Sequence, residues 1–134
     1  MILRVTDLKQ FAYCPRVVFY SYLMPVEKKT TFKMEEGRSA ESEETPLEKR
    51  RTLRRYELPS GKRSFGLWLS SGSVGLSGKL DLLIEAESRY YPVDFKNSTT
   101  GLHPNMTLQL AGYALLVEAR FETEVGLGFI SFLP

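Results

Sequence analysis

The sequence predicts an α+β or α/β sandwich, in which helices pack against a β-sheet. Three features indicate this class: helical spacing of apolar residues near the start, alternating apolar residues between turn signals from residue 64, and a return to helical spacing at residue 105. The length of 134 residues fits one domain and is too short for two cores of ordinary size. We therefore expect a single domain over residues 1–134, with helices over 6–55 and a sheet-bearing core over 56–134.

Helices dominate the predicted first part of the chain. Thr6 is expected to be the N-cap of the first helix, since its hydroxyl can accept a hydrogen bond from a free amide of the first turn. Cys14-Pro15-Arg16 opens a second helix, with the proline tolerated in the first turn, and Pro25 ends it. A third helix is predicted from Thr31 to Glu44, and Pro46 interrupts or restarts it.

Strand signals begin at residue 64, where apolar and polar residues alternate and turn residues separate the runs. The predicted elements are strands over 64–69, 74–76, 80–85 and 89–96, a helix over 105–119 and a last strand over 124–132. The polar stretches 70–73 and 86–88 are the predicted turns. This order, a meander of three or four strands before a helix and a final strand, supports the same fold class.

Charge is divided unevenly along the chain, although the formal net charge is only +2. Residues 35–48 carry six acids and one base, whereas residues 49–63 carry seven bases and one acid. The basic cluster is formed by Lys49, Arg50, Arg51, Arg54 and Arg55. It is a candidate phosphate-binding surface, because each cation near a phosphate displaces a condensed counterion. The alternative is a solvated helix with opposite charges at helical spacing, and the charges alone leave both open.

Several classes of protein and site are not expected. No apolar run approaches the roughly 20 residues that span a bilayer, and the N-terminus lacks the layout of a signal peptide, so we expect a cytoplasmic protein without a membrane partner. The single Cys14 excludes an intramolecular disulfide, and the single His103, expected in an exposed loop, excludes a two-histidine site. No glycine-rich phosphate loop is present, which argues against a small-molecule enzyme of that kind.

Two aspartates and a lysine lie in the predicted strands over 80–85 and 89–96. Asp94 and Lys96 are two residues apart, so their side chains point to the same face of the sheet, and pairing of the two strands can bring Asp81 to Asp94. Paired carboxylates form an oxygen-rich site that suits Mg²⁺ or Mn²⁺, and a lysine beside them can orient or deprotonate a water. Those groups match the needs of phosphodiester hydrolysis.

The simpler interpretation of Asp94 and Lys96 is a same-face ion pair on a solvated sheet, which a lone Asp-x-Lys pattern usually is. Asp81, however, lies within an apolar strand, where an unpaired charge is costly. The predicted helix adds Gln109 and Tyr113, which are four residues apart and therefore on one face. An aromatic residue at helical spacing is ordinarily core, whereas an inward-pointing amide needs hydrogen-bond partners.

The motifs and their order resemble a known enzyme family. Three of them resemble the motifs of the RecB type of PD-(D/E)xK nucleases: Gly78-x-x-Asp81, Pro92-Val93-Asp94-Phe95-Lys96 and Gln109-x-x-x-Tyr113. The stretch from Thr6 to Arg16 is similar to the start of the fourth CRISPR-associated (Cas) protein family. The resemblance covers nearly the whole chain, as far as about Phe132. It implies a restriction-endonuclease-like α/β fold with a central mixed β-sheet flanked by helices.

That resemblance implies a DNA nuclease with Mg²⁺ or Mn²⁺ as cofactor, which acts on single-stranded ends and works with the CRISPR integrase complex on spacer precursors. By position, the metal ligands would be Asp81, Asp94 and the Phe95 carbonyl. Lys96 would be the catalytic lysine, and Gln109 and Tyr113 would orient the active site or the DNA. The basic cluster would then be a path for the DNA.

Two departures from the family pattern bear on this expectation. The family has a metal-binding histidine before the basic segment, where this chain has Glu41, which can ligate Mg²⁺ in its place. The family also closes an iron–sulfur cluster with one N-terminal and three C-terminal cysteines. Cys14 matches the first and is the only cysteine, so an iron–sulfur cluster held by this chain alone is not expected. Either the protein is a cluster-free form or the other ligands lie outside this sequence, and Cys14 is interpreted as a plain buried thiol.

Two functions remain open on the sequence. The first is an active Mg²⁺- or Mn²⁺-dependent DNA exonuclease or endonuclease, which the complete set of Asp81, Asp94 and Lys96 favours. The second is a non-catalytic module that binds DNA or partner proteins of the CRISPR adaptation complex, which the absent cysteines favour. Stabilisation by Mg²⁺ would discriminate between them, because a ligand that binds only the folded state raises the melting temperature.

Overall fold

The computed structural model of the protein describes residues 2–22, 56, 58, 61–97 and 100–132. Its elements are β1 (Leu3–Arg4), α1 (Val5–Tyr13), α2 (Pro15–Tyr22), β2 (Lys62–Ser71), β3 (Leu76–Ala86), β4 (Arg89–Lys96), α3 (Pro104–Phe121) and β5 (Phe129–Phe132). The helix predicted over 31–44, Glu41 and the basic cluster lie outside the described residues. None of the helices in the described part of the chain has both the length and the apolar character that a membrane crossing requires.

Within the described residues, the sheet has five strands and is organised around β3. Along one edge of β3, β2 runs antiparallel, from Lys62 opposite Glu85 to Ser71 opposite Leu76. The other edge is shared, because β1 pairs parallel with the first residues of β3 and β4 pairs antiparallel with its last ones. β5 pairs parallel with β4, so the sheet is mixed. Among the described strands, none pairs with the middle of that shared edge, where Asp81 lies.

Several predicted elements are confirmed, and two predicted strands form one continuous strand. The strand over 89–96 has the predicted bounds, α2 opens at Pro15, and the predicted helix from residue 105 extends by a few residues to become α3. The separate strands predicted over 74–76 and 80–85 are wrong, since they form the single strand β3. The ladder with β2 continues through the glycine and serine residues between them, so these small residues do not end the strand.

Two further boundaries are corrected by side-chain hydrogen bonds. The strand predicted from residue 124 begins only at Phe129, because the Val125 amide donates to the Glu118 carboxylate of α3 (3.0 Å) instead of joining the sheet. The prediction that Thr6 caps the first helix is also wrong. Arg4 is the N-cap residue, and its amide donates a hydrogen bond to Oδ2 of Asp7 (2.8 Å). The carboxylate of Asp7, in the first turn, therefore caps the start of the helix.

Two clusters of buried apolar residues pack against the sheet. The first joins α1 and α3 to the sheet and includes Val5, Leu80 and Leu116. The second includes Leu82, Ile84, Val93 and Phe95, together with Tyr56. In the second half of β3 the alternation is regular, because Leu83 belongs to the first cluster and its neighbours Leu82 and Ile84 to the second.

The alternation along β3 is interrupted at Asp81. Leu80 and Leu83 both join the first cluster, although strict alternation would place Leu80 with Leu82. Gly66 of β2 is the residue opposite Asp81, and the ladder has no pair at this point, although the pairs on both sides of it are formed. The φ angle of Gly66 is 59°, in the left-handed region that favours glycine. The irregularity in both strands therefore changes the face to which Asp81 points.

Candidate active site

Asp81 lies at the point where β3 and β4 separate. The last register pair between these strands is Leu82 opposite Val93, and beyond it β4 leaves β3. Oδ2 of Asp81 accepts a hydrogen bond from the Phe95 amide (2.9 Å), so a side-chain carboxylate supplies the acceptor that a backbone carbonyl supplies elsewhere in the ladder. The structure thus brings Asp81 to the segment that contains Asp94 and Lys96, as the strand order predicted.

Lys96 connects β4 to α3 through its ammonium group. Nζ donates a hydrogen bond to Oε1 of Gln109 (2.5 Å) and lies 3.1 Å from Oδ2 of Asp94. Asp94 is only 3% exposed. Its Oδ2 atom receives no hydrogen bond from the described residues, because the contact with Lys96 is a close ion pair without hydrogen-bond geometry. A buried carboxylate oxygen without a donor is costly in a structural role.

Gln109 and Tyr113 lie on one buried face of α3, as the four-residue spacing predicted. The side-chain oxygen of Gln109 accepts a hydrogen bond from Lys96. This partner explains why a polar residue lies on the apolar face of the helix. The Tyr113 hydroxyl donates to the backbone carbonyl of Lys79 (2.9 Å), so this tyrosine holds α3 against β3. Gly78 makes that contact possible, because a Cβ there would lie 3.1 Å from the tyrosine ring.

Gly66 lies beside the candidate site and was not among the residues predicted from the sequence. Its signal was available, because a glycine inside a predicted strand often marks a bulge or a close approach of other atoms. Both apply here. The left-handed backbone at Gly66 faces Asp81 across the ladder, and the side chain of Lys79 lies over the glycine, with Cε 3.0 Å from the place of a Cβ.

The donor atoms around Asp81 and Asp94 fit a divalent cation. Two carboxylates and the nearby Phe95 carbonyl are hard oxygen donors, and Oδ2 of Asp94 is buried without a hydrogen bond. The formal charge of Asp81, Asp94 and Lys96 together is −1, which a cation would compensate. The described residues contain no group of three His, Cys, Asp or Glu side chains that could hold a metal. The predicted additional ligand, Glu41, is outside them.

Two other residues discussed from the sequence lie away from this constellation. Cys14 is a half-buried free cysteine at the C-cap of α1, where its amide donates to the Gln10 carbonyl. His103 is exposed in the loop before α3, as predicted, and its Nε2 contacts the Thr100 hydroxyl. The described structure gives neither residue a contact with Asp81, Asp94 or Lys96.

Comparison with known proteins adds two findings. The family model of the PD-(D/E)XK nuclease superfamily matches residues 27–132 of this chain. The CRISPR-associated exonuclease Cas4 of Francisella tularensis subsp. novicida (strain U112) is 32% identical over 117 residues, which are 87% of this chain and 60% of that protein. The chain thus spans about 60% of the length of this relative. The superfamily match confirms the predicted α/β nuclease fold and covers every element from β2 to β5, and the chain therefore belongs to the PD-(D/E)XK nuclease superfamily.

Proposed function

We propose that the protein is a metal-dependent DNA nuclease that hydrolyses phosphodiester bonds at the fork between β3 and β4. One observation carries the proposal. Lys96 is held between Asp94 and Gln109 at the point where Asp81 binds the Phe95 amide, and the acidic and basic groups are thereby concentrated at one place. Membership of a nuclease superfamily supports the class of reaction.

Asp81, Asp94 and the Phe95 carbonyl are the groups that would hold Mg²⁺ or Mn²⁺, and Glu41 would add a carboxylate by its position in the sequence. Superfamily membership supports a divalent cation in general terms, and the oxygen-only donor set favours these hard ions. Bound there, the cation would supply Lewis-acid activation of the phosphate and of a water. The hydrogen bond from the Phe95 amide holds the Asp81 carboxylate beside β4, where it is oriented before any ligand arrives.

Lys96 is proposed to act on the reacting groups directly. Its ammonium can donate a hydrogen bond to an attacking water or to a phosphate oxygen as negative charge develops. Gln109 fixes the position of that ammonium by accepting one of its hydrogens. Tyr113 would contribute indirectly, because its hydroxyl anchors α3 to β3 and so keeps Gln109 beside Lys96.

The biological setting is proposed from similarity. The Francisella relative is named a CRISPR-associated exonuclease, and the start of this chain is similar to the same family. We therefore propose a role in CRISPR adaptation, in which the protein trims single-stranded ends in association with the integrase complex. The basic cluster from Lys49 to Arg55 is proposed as part of the DNA path, since five cations there can contact successive phosphates.

A non-catalytic module that binds DNA or partner proteins is the second candidate. One observation favours it, namely that Cys14 is the only cysteine of the sequence, so this chain alone cannot hold the iron–sulfur cluster that the resemblance to the Cas family implies. Such a module would use the same fold and the basic cluster for binding, and Lys96 would then serve only to neutralise Asp94.

The test is cleavage of end-labelled single-stranded and duplex DNA with Mg²⁺, Mn²⁺ or EDTA. We expect metal-dependent cleavage by the wild-type protein and its loss in Asp94→Asn and Lys96→Met. Glu85→Gln is the matched control, because Glu85 is an exposed carboxylate on the same strand as Asp81. Wild-type protein that folds and binds DNA, but neither cleaves it nor gains thermal stability from either metal, would contradict the nuclease and support the binding module.

A further inference from the structure

The ribbon formed by β2, the turn after it and the first half of β3 carries a surface that the proposed active site does not use. Residues 61–80 contain three bases, Lys62, Arg63 and Lys79, and no acid. Trp68, in the middle of β2, is 73% exposed, the highest value among the large apolar side chains of the described residues. An indole this exposed is unusual without a partner, because aromatic side chains gain most by burial.

Lys79 is the cross-strand neighbour of Trp68 in the β2–β3 ladder. Side chains paired in this way leave the same face of the sheet, with Cβ atoms roughly 5 Å apart. The lysine does not turn towards the indole, because its chain lies over Gly66, with Nζ 3.8 Å from the place of a Cβ there. Within the described ranges, no hydrogen bond, ion pair or ring contact involves the Trp68 indole or the Lys79 ammonium. Among the described residues, an exposed indole and a lysine without a carboxylate partner therefore lie on neighbouring strands.

We infer that Trp68 and Lys79 form a contact for single-stranded nucleic acid, in which a base stacks on the indole and the ammonium holds a phosphate. The inference deepens the proposed nuclease function and rests on it. An acid-free, basic ribbon attracts a polyanion. An unpaired base has a free face to stack on an aromatic ring, whereas the bases of a duplex already stack on one another. The surface thus selects single strands.

A protein partner fits this surface less well. Stable protein interfaces bury a central cluster of several aromatic or apolar anchors. On the ribbon, Trp68 is the only large apolar side chain among those that the described structure exposes, and the others lie on or near the helices and in the loops. A single aromatic ring between cations is instead the combination found in proteins that bind single strands.

The contact and the proposed active site lie on opposite faces of the sheet. Leu69 and Leu80, the strand neighbours of Trp68 and Lys79, pack in the first cluster with α3. Trp68 and Lys79 therefore point away from α3, whereas Lys96 contacts Gln109 of α3. Lys79 precedes Asp81 by two residues, a distance of about 7 Å along a strand, and Gly66, which the lysine chain crosses, stands opposite Asp81. A strand held by Trp68 and Lys79 is therefore bound on the opposite face of the sheet and has to pass around the sheet to reach the β3–β4 fork. The surface is expected to bind nucleotides of the substrate that lie away from the reacting phosphate.

The test uses the fluorescence of Trp68, which is the only tryptophan in the sequence. The full chain is titrated with single-stranded oligothymidylate in EDTA, so that binding is measured without cleavage. We expect saturable quenching of the emission. Trp68→Ala should weaken binding of a labelled oligothymidylate about tenfold, and Lys79→Gln should weaken it and reduce the salt dependence by about one phosphate contact.

Matched controls are Leu115→Ala and Arg89→Gln, which remove an exposed apolar residue and an exposed base away from the ribbon and should leave the affinity unchanged. Trp68→Phe should restore part of the affinity, because a smaller aromatic ring still stacks. Circular dichroism and the melting temperature confirm that each variant is folded.

The outcomes separate this inference from the proposed function. Quenching that persists in Asp94→Asn supports the contact even where cleavage is absent. Normal cleavage, with no quenching and an unchanged affinity of Trp68→Ala, overturns the contact and leaves the nuclease intact. Equal quenching by a duplex overturns the preference for single strands. Self-association or binding of polyglutamate that Trp68→Ala abolishes, without an effect on DNA, overturns the inference in favour of a protein contact.

Discussion

Asp7 and Asp94 are both buried carboxylates with a basic residue close by in sequence, but the two regions around them differ. Asp7, 4% exposed, accepts hydrogen bonds from the Arg4 amide, the Arg4 guanidinium and the Tyr22 hydroxyl. Asp94, 3% exposed, has its Oδ2 atom near Lys96 but receives no directed hydrogen bond at that oxygen from the described residues. Burial alone therefore does not show whether a carboxylate has its hydrogen bonds satisfied within the fold.

The bases beside the two carboxylates differ in the same way. The Tyr22 phenol and the Asp7 carboxylate raise the pKa of Arg4, so its guanidinium stays charged. Lys96 instead divides its contacts between Asp94 and Gln109. In the N-terminal cluster the polar side chains bind one another. At the fork, a carboxylate oxygen remains available to bind a ligand. Function-bearing sites commonly sacrifice stability in this manner.

The largest expected effect follows from replacing the unsatisfied carboxylate. Asp94→Asn should lower the cleavage rate by about a hundredfold to a thousandfold, because it removes a proposed metal ligand and the charge that positions Lys96. The same variant should lower the free energy of unfolding by about 1 kcal/mol, because the Lys96 ammonium loses its carboxylate partner but keeps Gln109 as an acceptor. Cleavage of labelled DNA and urea denaturation measure the two effects. A large loss of stability would break the distinction from Asp7.

The opposite result is expected for the satisfied carboxylate. Asp7→Ala should cost about 2–3 kcal/mol of unfolding free energy, because the Arg4 amide and the Tyr22 hydroxyl lose their acceptor. The rate per folded molecule should stay within about twofold, as Asp7 lies outside the fork. Denaturant titration and an assay below the melting temperature check both statements. Thr6→Ala is the control, since Thr6 is exposed and does not cap the helix.

A smaller effect is expected from a substitution that changes the backbone geometry near the fork without changing any charge. Gly66→Ala should cost about 1–2 kcal/mol of stability, because alanine is strained at a φ angle of 59° and its Cβ would press on the Lys79 side chain. Cleavage should fall severalfold as Asp81 loses its orientation. Gly72→Ala is the matched control, since no atom lies within 4 Å of a Cβ there. Equal behaviour of the two variants would show that Gly66 does not position Asp81.

The sequence predicted the parts of the fold that local patterns determine. β4, α2 and α3 follow from alternation, proline placement and helical spacing, and the pairing of Asp81 with the Asp94 segment follows from strand order. The strand boundaries that the sequence pattern did not predict depend on contacts between residues far apart in the sequence. The continuity of β3 depends on its ladder with β2, and the start of β5 depends on the Glu118 side chain, which takes up the Val125 amide.

The same division applies to the candidate site. Residue types and spacing identified Asp81, Asp94, Lys96 and Gln109, because each is a polar group in an apolar run. The direction in which Asp81 points depends on an irregularity shared by two strands, and one of these carries Gly66. Periodicity assigns faces on the assumption of regular strands, so it cannot detect such a change of face.

The smallest expected effect tests why Asp94 and Asp7 differ. Gln109 accepts a hydrogen bond from Lys96, whose ammonium also lies 3.1 Å from Oδ2 of Asp94. Gln109→Leu removes that acceptor at similar volume, so Lys96 should turn to Asp94 and satisfy it, as Arg4 satisfies Asp7. We expect cleavage to fall roughly three- to tenfold while stability is unchanged or slightly higher. Gln109→Glu, which keeps an acceptor, should retain more activity than Gln109→Leu. A structure of Gln109→Leu with Nζ unmoved would show that another contact holds Lys96 in place.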